Sequence, residues 1–192
     1  LCLDDPNGKL AQTEFTQPAL YLVSYLQARA LLESGCSPSS AAGHSVGEFA
    51  ALATAGAMSF PDGLRMVAKR GEIMSKVRGG GMAAVIGLEE TLIRETLASA
   101  SADEIDLANF NSPGQIVISG PAARIEETLE PLKEAGARMV VPLKVSGAFH
   151  SRMMEGPAEE FGVFLEQFEF SEPELPVYSN VEAAPYPDAA SI

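Results

Sequence analysis

The sequence contains no tryptophan, only two cysteines and only two histidines in 192 residues, and its 13 basic side chains are half the number of its 26 acidic ones. Each scarcity excludes something. Cys2 and Cys36 stand among apolar neighbours without metal-ligand spacing, which argues against a disulfide framework or a cysteine-built metal site; packed, inert thiols in a reducing compartment, the cytoplasm, are expected. A net charge of −13 lacks the basic stripe that would displace counterions, so no nucleic-acid partner is expected. No apolar run reaches the ~20 residues of a membrane span and no signal peptide is visible, so no membrane partner is expected either. Aromatic residues are sparse at 7%, yet 46% of the chain is hydrophobic, enough for a core built mainly from aliphatic side chains.

What is present is concentrated in Gly43-His44-Ser45-Val46-Gly47-Glu48-Phe49, a serine between two glycines after the short run Ser40-Ala41-Ala42. In a nucleophile elbow a strand turns sharply into a helix, the serine takes a strained backbone, and flanking glycines remove clashing Cβ atoms. The Val46 amide would then open the next helix with its N–H available to an oxyanion. Downstream, 48–55 is strongly helix-forming up to Gly56, which suits an elbow. The string alone also fits a glycine-rich structural turn.

Thr16-Gln17-Pro18 reads as a helix start, with Ala19, Leu20, Val23, Leu26 and Ala30 at helical spacing as its apolar stripe. Ser59-Phe60-Pro61-Asp62 starts another helix, carrying Leu64, Val67, Ala68 and Met74 on one face. Gly79-Gly80-Gly81 reads as a hinge into strands at 82–86, 105–110, 115–119 and 138–143 and helices at 89–100 and 121–135. That β-α-β-β-α-β order is the ferredoxin-like split arrangement, with Asn111-Ser112-Pro113-Gly114 turning between its middle strands. A further helix is expected near 157–167. The predicted fold is α/β: a hydrolase-like core with a parallel sheet and the nucleophile elbow at 1–78 and 144–192, interrupted by a small ferredoxin-like α+β subdomain at 79–143, with a cleft between them as the natural site. The chain opens on Leu1-Cys2-Leu3 and stops just after Pro185-Tyr186-Pro187, so a fragment of a longer protein, incomplete at both ends, is expected.

A serine hydroxyl needs an adjacent base, and the only imidazoles are His44 and His150. His44 neighbours Ser45 in sequence, so on an elbow its side chain points away; His150, in a loop after a strand, is the candidate base, although a lone histidine is as readily structural. Arg70 follows Ala68-Lys69 on an amphipathic helix. It reads either as a solvated residue or as an anion receptor whose forked guanidinium grips a carboxylate.

Gly43-His44-Ser45-Val46-Gly47-Glu48, Met66-Val67-Ala68-Lys69-Arg70-Gly71, Gly81-Met82-Ala83-Ala84-Val85-Ile86-Gly87, Asn109-Phe110-Asn111-Ser112-Pro113-Gly114-Gln115 and Val145-Ser146-Gly147-Ala148-Phe149-His150-Ser151 follow one another along nearly the whole chain. Together they resemble the malonyl-CoA:acyl-carrier-protein transacylases, a family that includes the acyltransferase domains of polyketide synthases. The resemblance implies that Ser45 becomes malonylated, His150 activates it, Arg70 pairs with the malonyl carboxylate, Gln17 lines the pocket and Val46 supplies one oxyanion donor. Phe149, with Val46, is similar to the malonyl-selecting version, where bulk crowds an α-methyl group. The family's N-terminal strand with its glycine-glutamine-glycine loop, which gives the second oxyanion donor, and its C-terminal segment, whose carbonyl orients the histidine, have no counterpart here.

The resemblance thus implies transfer of malonyl from malonyl-CoA to the phosphopantetheine thiol of an acyl carrier protein for fatty acid biosynthesis, without metal or redox cofactor. The alternatives are a trans-acting malonyl-specific acyltransferase of a polyketide synthase, a serine hydrolase, and a non-catalytic carrier-binding fragment. Lys69, Lys76 and Arg78 are the candidate basic patch for an acidic carrier.

Overall fold

The computed structural model describes residues 2–145 and 147–192; Leu1, the expected interior start, and Ser146 of the 145–151 motif lie outside the described residues. The chain divides into two compact units, Leu1–Ile73 with Glu160–Ile192, and Met74–Glu159. The division differs from the expected 78/79 and 143/144 because residues after 143 pack on the second unit's sheet: a Cβ on Gly80 would lie 2.1 Å from the Ala148 nitrogen, and Phe149 joins Met82, Ala84 and Val117 in one apolar cluster.

In the first unit, helix α1 (Thr13–Glu33) begins a turn before Thr16-Gln17-Pro18, so Pro18 lies inside it. Its expected stripe is on the wrong side: Leu20, Val23 and Leu26 are 49%, 37% and 56% exposed, whereas Gln17 and Tyr21 are buried. Tyr21 decides this. Its ring stacks on Phe60 at 5.4 Å and its hydroxyl donates to the Phe60 carbonyl at 3.1 Å, directly against Gly63. Strand β1 (Ala41–Ala42) leads into the elbow and helix α2 (Gly47–Thr54), which stops before Gly56 at φ +77°. Helix α3 (Phe60–Met74) is capped by Ser59, whose Oγ accepts from the Asp62 N–H at 3.2 Å, and it buries Met66, Val67 and Ile73. Cys2 and Cys36, expected to be packed, are exposed free thiols.

The second unit keeps the order β-α-β-β-α-β: β2 (Gly80–Ile86), α4 (Glu90–Ser99), β3 (Asp106–Ser112), β4 (Gln115–Pro121), α5 (Ala122–Glu134) and β5 (Met139–Pro142). Its strands lie in the order β3-β4-β2-β5, every neighbouring pair antiparallel. Ala83, Val85, Ile116 and Ile118 face a core shared with Ile93 and Leu97 of α4 and Ile125 and Leu132 of α5. Gly80 and Gly81 are strand residues rather than a hinge. A side chain there would strike Ala148 and crowd Ala122, so close backbone approach explains the glycines.

Helix α6 (Glu155–Leu165) brings Phe161 and Leu165 into the first unit's core, and β6 (Val177–Tyr178) pairs in parallel with β1, Ala41 opposite Val177. That pair is the parallel sheet among the described residues. Among them, too, no helix is long and apolar enough to cross a membrane.

Gly63 and Gly162 make a paired test of these contacts. A Cβ on Gly63 would lie 2.1 Å from the Tyr21 oxygen, whereas one on Gly162 in α6 meets nothing within 4 Å. Gly63→Ala is expected to lower stability by about 1–2 kcal/mol net, overpacking outweighing helix propensity, while Gly162→Ala raises it by up to about 1 kcal/mol. Urea denaturation midpoints of the two variants check the opposite signs.

Candidate active site

Ser45 lies between β1 and α2 with φ +51°, the left-handed region, which costs a non-glycine residue roughly 1–3 kcal/mol. The turn is tight enough that a Cβ on Gly43 would lie 2.0 Å from the Gly47 carbonyl carbon. Gly43 is therefore a steric requirement, as an elbow demands, whereas a Cβ on Gly47 would meet nothing within 4 Å, so the expected clash at the second glycine is absent. Gly47 and Glu48 N–H groups bond back to the carbonyls of His44 and Ser45 at 2.9 and 3.2 Å. The Val46 N–H enters none of the described hydrogen bonds that tie this turn together.

Arg70 reaches this serine from α3. Its guanidinium donates to Ser45 Oγ at 3.0 Å and to Gln17 Oε1 at 2.7 Å. Gly71 lets α3 pass close to α1, where a Cβ would already lie 3.1 Å from Glu14 Cα. Arg70 is half-buried and forms no salt bridge among the described residues. Burial pushes its guanidinium below the ordinary arginine value and the Glu48 carboxylate opposes this through space, so the cation persists at neutral pH. Ser45, Val46, Arg70 and Gln17 thus meet within the first unit.

A set of residues that the sequence reading missed fixes the elbow. Asn180 Oδ1 accepts from the Ser45 N–H at 2.9 Å, its Nδ2 donates to the Gly43 carbonyl at 2.7 Å, and its own N–H donates to Glu48 Oε1 at 2.9 Å. The Tyr186 hydroxyl also donates to Glu48 Oε1, at 2.7 Å. Burial first, and this bond second, push the Tyr186 phenol up to about 12, so it stays a donor at neutral pH. The one sequence signal was an Asn after a short β-rich run, Val177-Tyr178-Ser179, the common place for a turn. Beside the elbow a cleft of about 350 Å³ opens, lined by Gly43, His44, Ser179 and Asn180 among others.

Phe149 and His150 stand in the second unit. Phe149 is 8% exposed against Met82, Ala84 and Val117, while His150 is exposed with φ +59°. The segment that carries them is pinned. Ser151 Oγ donates to the Ala148 carbonyl at 2.7 Å, and the Asp106 carboxylate accepts from the Arg152 N–H at 2.7 Å, Nε at 3.0 Å and Nη2 at 2.6 Å.

The acyl transferase domain family matches residues 1–190. The chain is 49% identical over 187 residues to the polyketide biosynthesis protein ThaF of Burkholderia thailandensis, covering 97% of this chain and 16% of that protein. It is 48% identical over 190 residues to the polyketide biosynthesis malonyl CoA-acyl carrier protein transacylase PksC of Bacillus subtilis, covering 97% and 65%. The fold superposes on the crystal structure of a malonyl CoA-acyl carrier protein transacylase from Burkholderia pseudomallei with a TM-score of 0.94 at 42% identity, over 100% of this chain and 67% of that one. The chain therefore spans less than two thirds of the length of the curated relatives it matches.

The Asp106–Arg152 clip gives a pH prediction. The Arg152 guanidinium holds the Asp106 carboxyl below the ordinary aspartate value, with burial opposing. A depressed folded value means that the stabilisation is complete above the ordinary value near pH ~4 and is lost as pH falls through the lower, folded one. Asp106→Asn is expected to cost about 0.5–1 kcal/mol at neutral pH, since Arg152 is well solvated, and nothing in strong acid. Denaturation midpoints of parent and variant, measured from pH 7 downwards, should converge.

Proposed function

Because the chain belongs to the acyl transferase domain family, we propose that the protein transfers a malonyl group from malonyl-CoA to the phosphopantetheine thiol of an acyl carrier protein through a malonyl ester on Ser45. The observation that carries this reading is the half-buried Arg70 guanidinium, 3.0 Å from Ser45 Oγ and without a salt-bridge partner among the described residues. A desolvated cation beside a strained serine suits an acyl group bearing its own carboxylate. A plain hydrolase gives it no such task.

In the first half-reaction His150 takes the Ser45 proton as Oγ attacks the thioester carbonyl, and Val46 N–H stabilises the developing oxyanion. The tetrahedral intermediate expels the coenzyme A thiolate, which takes the proton from His150. In the second, the carrier's phosphopantetheine thiol gives its proton to His150 and attacks the malonyl ester, and Ser45 leaves as the restored hydroxyl. Arg70 holds the malonyl carboxylate throughout, with Gln17 orienting the guanidinium. Phe149, fixed by its packing, limits bulk at the acyl α-carbon. The carrier's phosphopantetheine is part of the substrate, and the transfer draws on no metal or redox group.

The same chemistry serves fatty acid and polyketide synthesis. The fatty acid role is the simpler reading, and the polyketide role has specific support, since both ThaF and PksC bear names from polyketide biosynthesis. We read the first unit as a hydrolase-like core, supported by the parallel β1–β6 pair leading into the elbow, and the second as ferredoxin-like, supported by its antiparallel order β3-β4-β2-β5. The cytoplasm is the proposed compartment, in keeping with two exposed free thiols.

Intact-mass spectrometry after incubation of the whole protein with malonyl-CoA should show one malonyl adduct, mapped to the peptide containing Ser45 and absent from Ser45→Ala; labelling that survives this change refutes the assignment. His150→Ala should slow acylation by about a hundredfold to ten-thousandfold, and His44→Ala far less. Arg70→Ala should cut malonyl transfer by roughly tenfold to a hundredfold, the loss of a charge-assisted pair worth about 1.5–3 kcal/mol, while acetyl transfer suffers less. An unchanged malonyl-to-acetyl ratio would make Arg70 a structural helix residue.

A further inference from the structure

We propose that Asn180 is a positioning residue for the nucleophile: its side-chain amide stands in for a neighbouring strand across the elbow and holds Ser45 in its left-handed conformation. The inference rests on the reading of Ser45 as nucleophile, and on that alone.

The elbow leaves two backbone groups, the Gly43 C=O and the Ser45 N–H, on one side of a chain that is turning out of its sheet. In a continuing ladder both would be met by the adjacent strand. Here β6 ends at Tyr178, and the next strand-like partner is a side chain. Asn180 offers one acceptor and one donor from a single planar group, and each falls at hydrogen-bond distance from the matching backbone group, 2.9 Å to the Ser45 N–H and 2.7 Å to the Gly43 oxygen. The Ser45 N–H and the Gly43 oxygen lie before the N–Cα bond about which φ turns, and Glu48, gripped by the Asn180 N–H at 2.9 Å, lies after it, so the three bonds together span the rotation and oppose its departure from +51°.

The clamp is itself held at its other end. The Asn180 N–H and the Tyr186 hydroxyl converge on Glu48 Oε1, and Glu48 lies in the first turn of α2, three residues past the serine. The segment 180–186 is thereby tied to both sides of the turn. Asn180 itself is exposed, so water competes for its bonds. What the amide adds over water is shape: two backbone groups fixed by one rigid plane. A misplaced Oγ still binds substrate but attacks poorly, since small displacements of a reacting atom are costly in rate.

The test uses the whole protein and a fluorophosphonate probe, whose capture by a serine needs neither acyl-CoA nor carrier, alongside malonyl-CoA. Parent, Asn180→Ala and Asn180→Asp are compared, with rates normalised to the folded fraction from circular dichroism. Asn180→Ala should slow Ser45 labelling by both reagents about tenfold to a hundredfold, with the KM for malonyl-CoA within about twofold and the pH midpoint of labelling unmoved. Asn180→Asp, which keeps the acceptor for Ser45 but turns a carboxylate oxygen on the Gly43 carbonyl, should fall in between. Tyr186→Phe, which loosens the clamp with Asn180 intact, should slow labelling about two- to threefold and keeps the test open if the Asn180 variants do not fold. Lower melting temperatures with an unchanged normalised rate in the folded variants would overturn the proposal. Probe labelling that depends on Asn180, in a protein that malonyl-CoA does not acylate, would uphold it and refute the malonyl reading.

Discussion

The close approach of Gly43 to Gly47 is the constraint from which the first unit is organised. With no Cβ at Gly43, the backbone folds on itself tightly enough to carry Ser45 into the left-handed region and to start α2 two residues later. That reversal directs α2 back across the unit, where Ala50, Leu52 and Ala53 join Tyr21, Met66 and Val67 in one core. The conformational cost of Ser45 is offset by its surroundings: the α2 core on one side, and Asn180 and Glu48 on the other.

A second close approach sets the electrostatics. Gly71 allows α3 to pass beside α1, and the side chains on either side of the crossing, Gln17 and Arg70, reach each other at 2.7 Å. Gln17 is a neutral acceptor in a buried position, so it orients the guanidinium without neutralising it. Glu48 balances the charge from a distance while its oxygen is already used by Asn180 and Tyr186. One carboxylate therefore serves the backbone clamp and the field at Arg70, and the guanidinium retains an unmet preference for an anion.

The second unit was legible almost element by element, because α4 and α5 are amphipathic and Pro113-Gly114 marks the hairpin; predicted ends lie within two residues of those observed. The elbow was legible for the same reason, since its steric demand is written in adjacent residues. Helix α1 was not. Its apolar residues surround the helix, so periodicity favoured Leu20, Val23 and Leu26, while the buried face is the one with Gln17 and Tyr21, chosen by partners on α3. The glycines at 80 and 81 were misread as a hinge because a glycine run does not announce which backbone will approach it. Asn180 was invisible because its meaning lies 135 residues away, in the Ser45 N–H.

On the function proposed above, the contact between Arg70 and Ser45 has a further consequence. While the guanidinium donates to Oγ, it draws on a lone pair that the serine needs for attack, so the resting hydroxyl is held in place but subdued. A malonyl carboxylate is the stronger acceptor, because it carries a full negative charge and can take two parallel N–H···O bonds from the guanidinium. Its arrival therefore takes Nη2 from Ser45 and leaves Oγ to the base at the moment the thioester is aligned. An acyl group without a carboxylate makes no such exchange, and leaves the serine as the substrate found it. Selectivity for a charged acyl chain and release of the nucleophile are then one event, carried out by one side chain.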